Sequence, residues 1–232
     1  NRPSPETKPA AMNFTISKRA STITLVLIVI GLVMAAIGLM GDHTGHKQYT
    51  WAAFYANALF FFFIALGTLF FYALNHVTET AWTVLVKRVY EGIAMYVPWG
   101  ALTVLVVLVA VTMGLHHMWP WMDARTVDAA DAVHFDGHIN KLTSYLNKPF
   151  FWVRAILILG TFVLFARWFR AHSLRMDKET GEALVASHGK NYRRSVLFIV
   201  LFAFFSSVLA WVWIMSIDVH WMSARSEEHT SE

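Results

Sequence analysis

Five long runs of apolar residues divide this chain, and short polar stretches separate them. The first covers about residues 21–41, with only apolar, Gly, Ser and Thr side chains between Ile23 and Met40. The second covers about 51–75 and contains Phe60-Phe61-Phe62-Phe63. The third lies within 92–115, the fourth within 149–169 and the fifth within 195–216. Each supplies the ~20 residues that a helix needs to cross a hydrocarbon core of ~30 Å. Lipid offers no partner to a bare peptide group, so such runs must satisfy their backbone internally, as helix. The pattern predicts an all-α integral membrane protein of about five transmembrane helices, packed as a partial helical bundle. The first run is too long, and too free of a cleavage site, to be a signal peptide.

Composition agrees with the pattern. Of 232 residues 56% are hydrophobic and 15% charged, against the ~25% charged of a usual soluble domain. Mean hydropathy is +0.47. Cysteine is absent, which excludes disulfides, thiolate-bound zinc and thiolate-held iron–sulfur clusters from this chain. The pI near 9.4 does not point to nucleic acid, because the basic residues flank the apolar runs. Arg2, Lys8, Lys18 and Arg19 precede the first run, and Lys87 and Arg88 lie between the second and third. Arg167, Arg170, Arg175, Lys178, Lys190, Arg193 and Arg194 lie between the fourth and fifth. The other side offers only Lys47, Arg125, Lys141 and Lys148. By the positive-inside rule the N-terminus is cytoplasmic, and the stretches 42–46 and 123–148 face outward. Trp51, Trp99, Trp119, Trp121 and Trp152 fall near span ends, where interfacial aromatics gather.

The chain divides into a tail, 1–20, a transmembrane helical domain, 21–221, and a segment, 222–232, read as appended sequence. Residues 225–232 match the in-frame translation of the start of a sequencing adapter, so no function is assigned to Glu227, Glu228 or His229. There is no internal repeat.

Ionisable side chains near membrane depth are costly, so each needs a reason. His76 and Glu79 share a face if the second span continues as helix. Glu91 follows Lys87 by four and Arg88 by three, which suits either an interfacial ion pair or proton uptake. Pro98 should kink the third span, and Gly100 eases close packing there. Arg154 either snorkels outward or meets a carboxylate such as Asp123 or Asp218. His116 and His117 are adjacent, so they cannot ligate one metal from the same helix face. A haem b site needs facing His at one depth, whereas His76, His116, His117, His172 and His220 all lie near span edges. The last span ends in Trp211-Val212-Trp213-Ile214-Met215-Ser216-Ile217-Asp218-Val219-His220-Trp221. Asp218 and His220 stand there beside three tryptophans, as either an aromatic anchor or the depth of a quinone head group and proton exit.

Several of these segments resemble the polysulfide-reductase-type, NrfD-like membrane subunits of alternative complex III, and within them the ActF type. The matching residues are Trp51-Ala52-Ala53-Phe54-Tyr55, Arg88-Val89-Tyr90-Glu91-Gly92-Ile93 and Trp121-Met122-Asp123. Tyr145-Leu146-Asn147-Lys148-Pro149-Phe150-Phe151 with Arg154, and the segment from Trp213 to Trp221, complete the set in the same order. The likeness covers most of 12–222, and family members have roughly twice as many spans, which would make this the N-terminal half. It implies a subunit of a quinol-oxidising respiratory complex in a bacterial inner membrane, with no redox centre of its own. Partners would be iron–sulfur and haem c proteins and a paralogous NrfD-like subunit. Cofactors would be limited to contact with quinone or menaquinone, and the roles open to it are quinol binding, proton conduction and scaffolding. Carry-over reaches Glu91, Asp123, Arg154, Asp218 and His220. Many members carry an acidic residue where this chain has Val212, a departure that weakens a proton path through span five. The alternative is a stand-alone transporter or proton channel, toward which the Pro98 kink points.

Overall fold

The computed structural model describes residues 17–80, 82, 85–123, 126, 128 and 136–219. The tail before Ser17, His220 and the 222–232 segment lie outside the described residues. The chain divides into two units, 1–43 and 44–232. The first holds α1 (Lys18–Gly41), started by Ser17, whose hydroxyl accepts from the Ala20 N–H at 3.2 Å. Thr22 and Thr24 donate back to the carbonyls of Lys18 and Ala20. Both threonine hydroxyls are thus satisfied within the helix.

The second unit contains α2 (Gln48–Val77), α3 (Lys87–Ala94), α4 (Val97–Thr112), the short α5 (Gly137–Leu142), α6 (Lys148–Met176) and α7 (Glu182–Leu209). α7 runs on through a π-helical turn, Ala210–Ile214, into a 3-10 turn, Met215–Ile217. α2 packs against α4 and α7, and α6 packs against the same two. The long helices therefore form a ring in which every neighbour is antiparallel and α2 stands diagonal to α6. The ring is filled largely by aromatics: Phe62, Phe162 and Phe198 are fully buried, and Phe70 stacks on Phe202 at 4.6 Å. Among the described residues every regular element is helical. Counting α3 and α4 as one span, five helices are long and apolar enough to cross a membrane. The chain is a multi-spanning all-α membrane protein.

The boundaries differ from the apolar runs in instructive ways. The third span is two helices, broken at Met95 and Tyr96. Pro98 lies in the first turn of α4, where its missing N–H costs least, and its ring forbids a continuous helix through the preceding turn. Gly100 lets α2 come close: a Cβ there would lie 3.0 Å from the Phe62 ring and 3.2 Å from its Cα. α6 and α7 extend well past their apolar runs, so Arg170, Arg175, Arg193 and Arg194 are helical rather than in a loop. Charged, helix-favouring side chains continue a helix in water as readily as apolar ones do in lipid.

α2 stops at Val77, so His76 and Glu79 do not share a helical face. Glu79 takes a left-handed conformation, φ 50°, and the Thr80 N–H returns to the Asn75 carbonyl at 3.3 Å. This is a Schellman-type stop with Glu79 where glycine is usual. The end of α4 shows the ordinary version: Gly114 at φ 74°, with Leu115 N–H bonded to the Ala110 carbonyl at 3.0 Å.

Candidate functional site

At the end of the bundle that carries the basic residues, α3 is pinned to α6. The pin is Glu91, whose side chain is buried. Its Oε2 accepts from Arg88 Nη1 at 2.7 Å and from Arg170 Nη1 at 2.5 Å. Its Oε1 accepts from the Ser173 hydroxyl and lies 3.9 Å from Lys87 Nζ. Arg88 also pairs with Asp177. Arg170, Ser173 and Asp177 recur at three- and four-residue steps, so α6 presents them as one stripe. A buried carboxylate needs such compensation to be tolerated. The expected pairing with Lys87 and Arg88 is present, and two partners from α6 join it. Beside the cluster lies a small pocket bounded by Tyr72, Glu91 and Arg170, with apolar walls from Leu69, Ala166 and Phe169.

At the same end, His172 Nε2 lies 2.9 Å from the Ser187 carbonyl, joining α6 to α7. The His76 Nδ1 lies 2.9 Å from the Tyr72 carbonyl, and its ring rests on the Tyr72 ring at 4.3 Å. Glu79 is exposed.

The opposite end is aromatic. The Tyr55 hydroxyl donates to the Trp213 carbonyl at 3.0 Å, and its ring meets Trp119 edge-on at 5.1 Å. Trp119 and Trp121 both face Phe151, at 6.4 and 5.5 Å. His116 is fully buried under Trp51, ring centroids 5.0 Å apart. Its Nε2 donates to the Val107 carbonyl at 3.2 Å and its Nδ1 accepts from the Met118 N–H at 3.5 Å, the pairing of a neutral imidazole. Burial pushes this imidazole below its ordinary range, and the neighbouring His117 works in the same direction against the Val107 carbonyl. His117 lies 3.7 Å from Asp123 and edge-on to His46 at 4.3 Å.

Arg154 neither snorkels nor takes the expected carboxylate as its hydrogen-bond acceptor. It is buried, donates to the carbonyls of Tyr145 at 2.9 Å and Phe150 at 3.3 Å, and lies over both rings at 4.1 and 4.3 Å. Lys148 and Pro149 start α6 after the Asn147 cap, and this holds Arg154 nearly two turns inside the helix. Among the described residues four buried donors at this end have no acceptor: Nη1 of Arg154 and Nε1 of Trp119, Trp121 and Trp213. Asp123 is half-buried and Asp218, just past the 3-10 turn, is exposed. Among the described residues no group of three or more His, Asp or Glu is arranged to hold a metal.

The structure thus separates the predicted residues. Glu91 and His76 belong to the basic end, Asp123, Arg154 and Asp218 to the aromatic end. Sequence reading missed Tyr72, Ser173, Asn191 and Ser195, which are polar and buried. For Asn191 and Ser195 the available signal was their four-residue spacing at the start of an apolar run. No protein-family model matches the chain, and no curated protein is significantly similar to it.

Proposed function

We propose that this chain is a membrane subunit of a quinol-oxidising respiratory complex of the alternative complex III type, with its basic end in the bacterial cytoplasm. One observation carries the reading: four of the five segments that resemble that family gather at one end of the bundle. Tyr55 of the first bonds to Trp213 of the last, and Trp121 of the third packs on Phe151 of the fourth, one turn from Arg154. These segments are far apart in sequence; the antiparallel order of the helices brings them to one end, and there their side chains touch. The four donors without acceptors suit a ligand that brings oxygen acceptors and a flat ring, as a quinone head group does. Arg154 and the Trp N–H groups would bind and orient that oxygen, and the surrounding rings would exclude water. A chain without cysteine holds no thiolate-ligated cluster, so the electrons would leave to iron–sulfur and haem c partners. Asp123 and Asp218, at the same end, are the candidates to receive the released protons. Glu91 and its cations serve as scaffold.

The test uses the assembled complex, purified through a tag on this chain. Iron–sulfur and haem c subunits should co-purify, and Arg154→Gln should raise the KM for quinol by about tenfold, the loss of one charge-assisted hydrogen bond. Asp218→Asn should slow proton release. A chain that purifies alone, and carries a solute or protons in vesicles, overturns the reading in favour of a stand-alone transporter or channel.

A further inference from the structure

We propose that Arg175 and Arg194 hold the phosphodiester headgroup of an anionic phospholipid on the outside of the α6–α7 pair, beside Trp168. The basic side chains at this end of the bundle divide into two sets. Arg88 and Arg170 are engaged by Glu91 and Asp177, where α3 is pinned to α6. Arg175 and Arg194 are not: among the described residues neither side chain has a carboxylate or hydrogen-bond partner. Glu179 and Glu182, where α6 turns into α7, pair with neither. Two like charges face each other instead, Arg175 lying close enough for its charge to act on that of Arg194. The Arg194 guanidinium carbon lies 3.9 Å from the centre of the Trp168 ring. A ring face steadies the cation but offers no strong acceptor, so the N–H donors of the fork stay available to an anion.

The directions of the two helices bring these guanidinium groups together. Helical side chains lean toward the N-terminus of their own helix. Arg175 therefore leans from the basic end of α6 back toward Trp168, about two turns earlier. α7 is antiparallel, so Arg194 leans the other way, toward the basic surface. His172 meets the Ser187 carbonyl, and counting on from that level puts Arg194 about one turn deeper than Trp168. Its contact with Trp168 is thus a snorkel, with the stem in the apolar layer and the charge carried outward. Below the pair both helices expose aliphatic side chains: Leu164, four residues from Trp168, and Leu197, three residues from Arg194. Charge, aromatic ring and aliphatic surface follow one another along the helices, which is the order of a phospholipid's headgroup, interface and chains. A phosphate accepts from both forks and removes their repulsion. A zwitterionic lipid brings an amine as well, which two arginines repel, so the site favours a net negative headgroup. A soluble phosphate would satisfy the arginines and leave Leu164 and Leu197 without a role. This inference is independent of the quinol reading, since a transporter or a scaffold could hold the same lipid.

Native mass spectrometry of the full chain in a neutral detergent tests it, with dioleoyl phosphatidylglycerol and dioleoyl phosphatidylcholine added in equal amounts. Phosphatidylglycerol should be retained in about tenfold preference, and excess inorganic phosphate should not displace it. Equal retention of the two lipids overturns the inference. Displacement by phosphate overturns it too, because the site would then be one for a free anion. Arg175→Gln/Arg194→Gln should abolish the preference. Lys18→Gln/Arg19→Gln removes the same charge from α1 and should keep it. Equal loss in both pairs would mean a diffuse basic surface and would overturn the inference. The lipid comparison needs no variant, so it decides even where the double substitution fails to fold.

Discussion

Glu91 is the side chain on which most depends. Its charge is answered by Arg88, Arg170 and Ser173, so a neutral isostere leaves two guanidinium groups facing a weak acceptor. Glu91→Gln should cost about 3 kcal/mol of unfolding free energy, measured by denaturant titration in detergent. Ser173→Ala, which removes one donor and leaves the cations, should cost about 1 kcal/mol. His116 sets a pH dependence of definite sign. The folded protein holds it neutral below the ordinary value of 6.5, so under acid conditions this site takes up more proton in the unfolded chain than in the folded one. Its contribution is complete above that value and is lost as pH falls below it. His116→Asn should flatten this slope in thermal unfolding measured between pH 7 and pH 5.

Helix ends and crossings carry the next effects. Glu79 adopts a left-handed backbone that suits glycine, so Glu79→Gly should stabilise by about 1 kcal/mol, whereas Gly114→Ala should destabilise by a similar amount. Gly100→Ala forces the Phe62 backbone away from α4 and should cost about 1–3 kcal/mol. All three are read by the same unfolding assay. These elements also show what was legible beforehand. The five spans stood out because lipid imposes long apolar runs, and the Pro98 break and the Gly100 approach follow from local covalent chemistry. The Glu91 pairing with Lys87 and Arg88 was visible because it lies within one helical turn. Its pairing with Arg170 was not, since nothing local says which face of α6 will meet α3. The same holds for Arg154: burial and two aromatic faces come from the turn at Tyr145, which spacing does not specify. The early stop of α2 was hidden because a Glu stands where glycine would have announced it.

The molecule as a whole makes a claim about sidedness. Most basic side chains of the bundle lie at one end, and the chain has no cysteine, so single cysteines report without background. Ser144→Cys should react with an impermeant maleimide in intact spheroplasts, and Lys178→Cys only after permeabilisation; the reverse would invert the orientation. The clamp between α3 and α6 has a bearing on biogenesis as well. Glu91 and Arg170 are 79 residues apart, and a ribosome making ~5–20 residues per second needs about 4–16 s to close that gap. During that interval the nascent third span carries a carboxylate answered only by its own Lys87 and Arg88. A stalled chain ending before Arg170 should therefore leave α3 at the membrane surface or beside the translocon, open to proteases. Its insertion is completed by a residue that has not yet been translated.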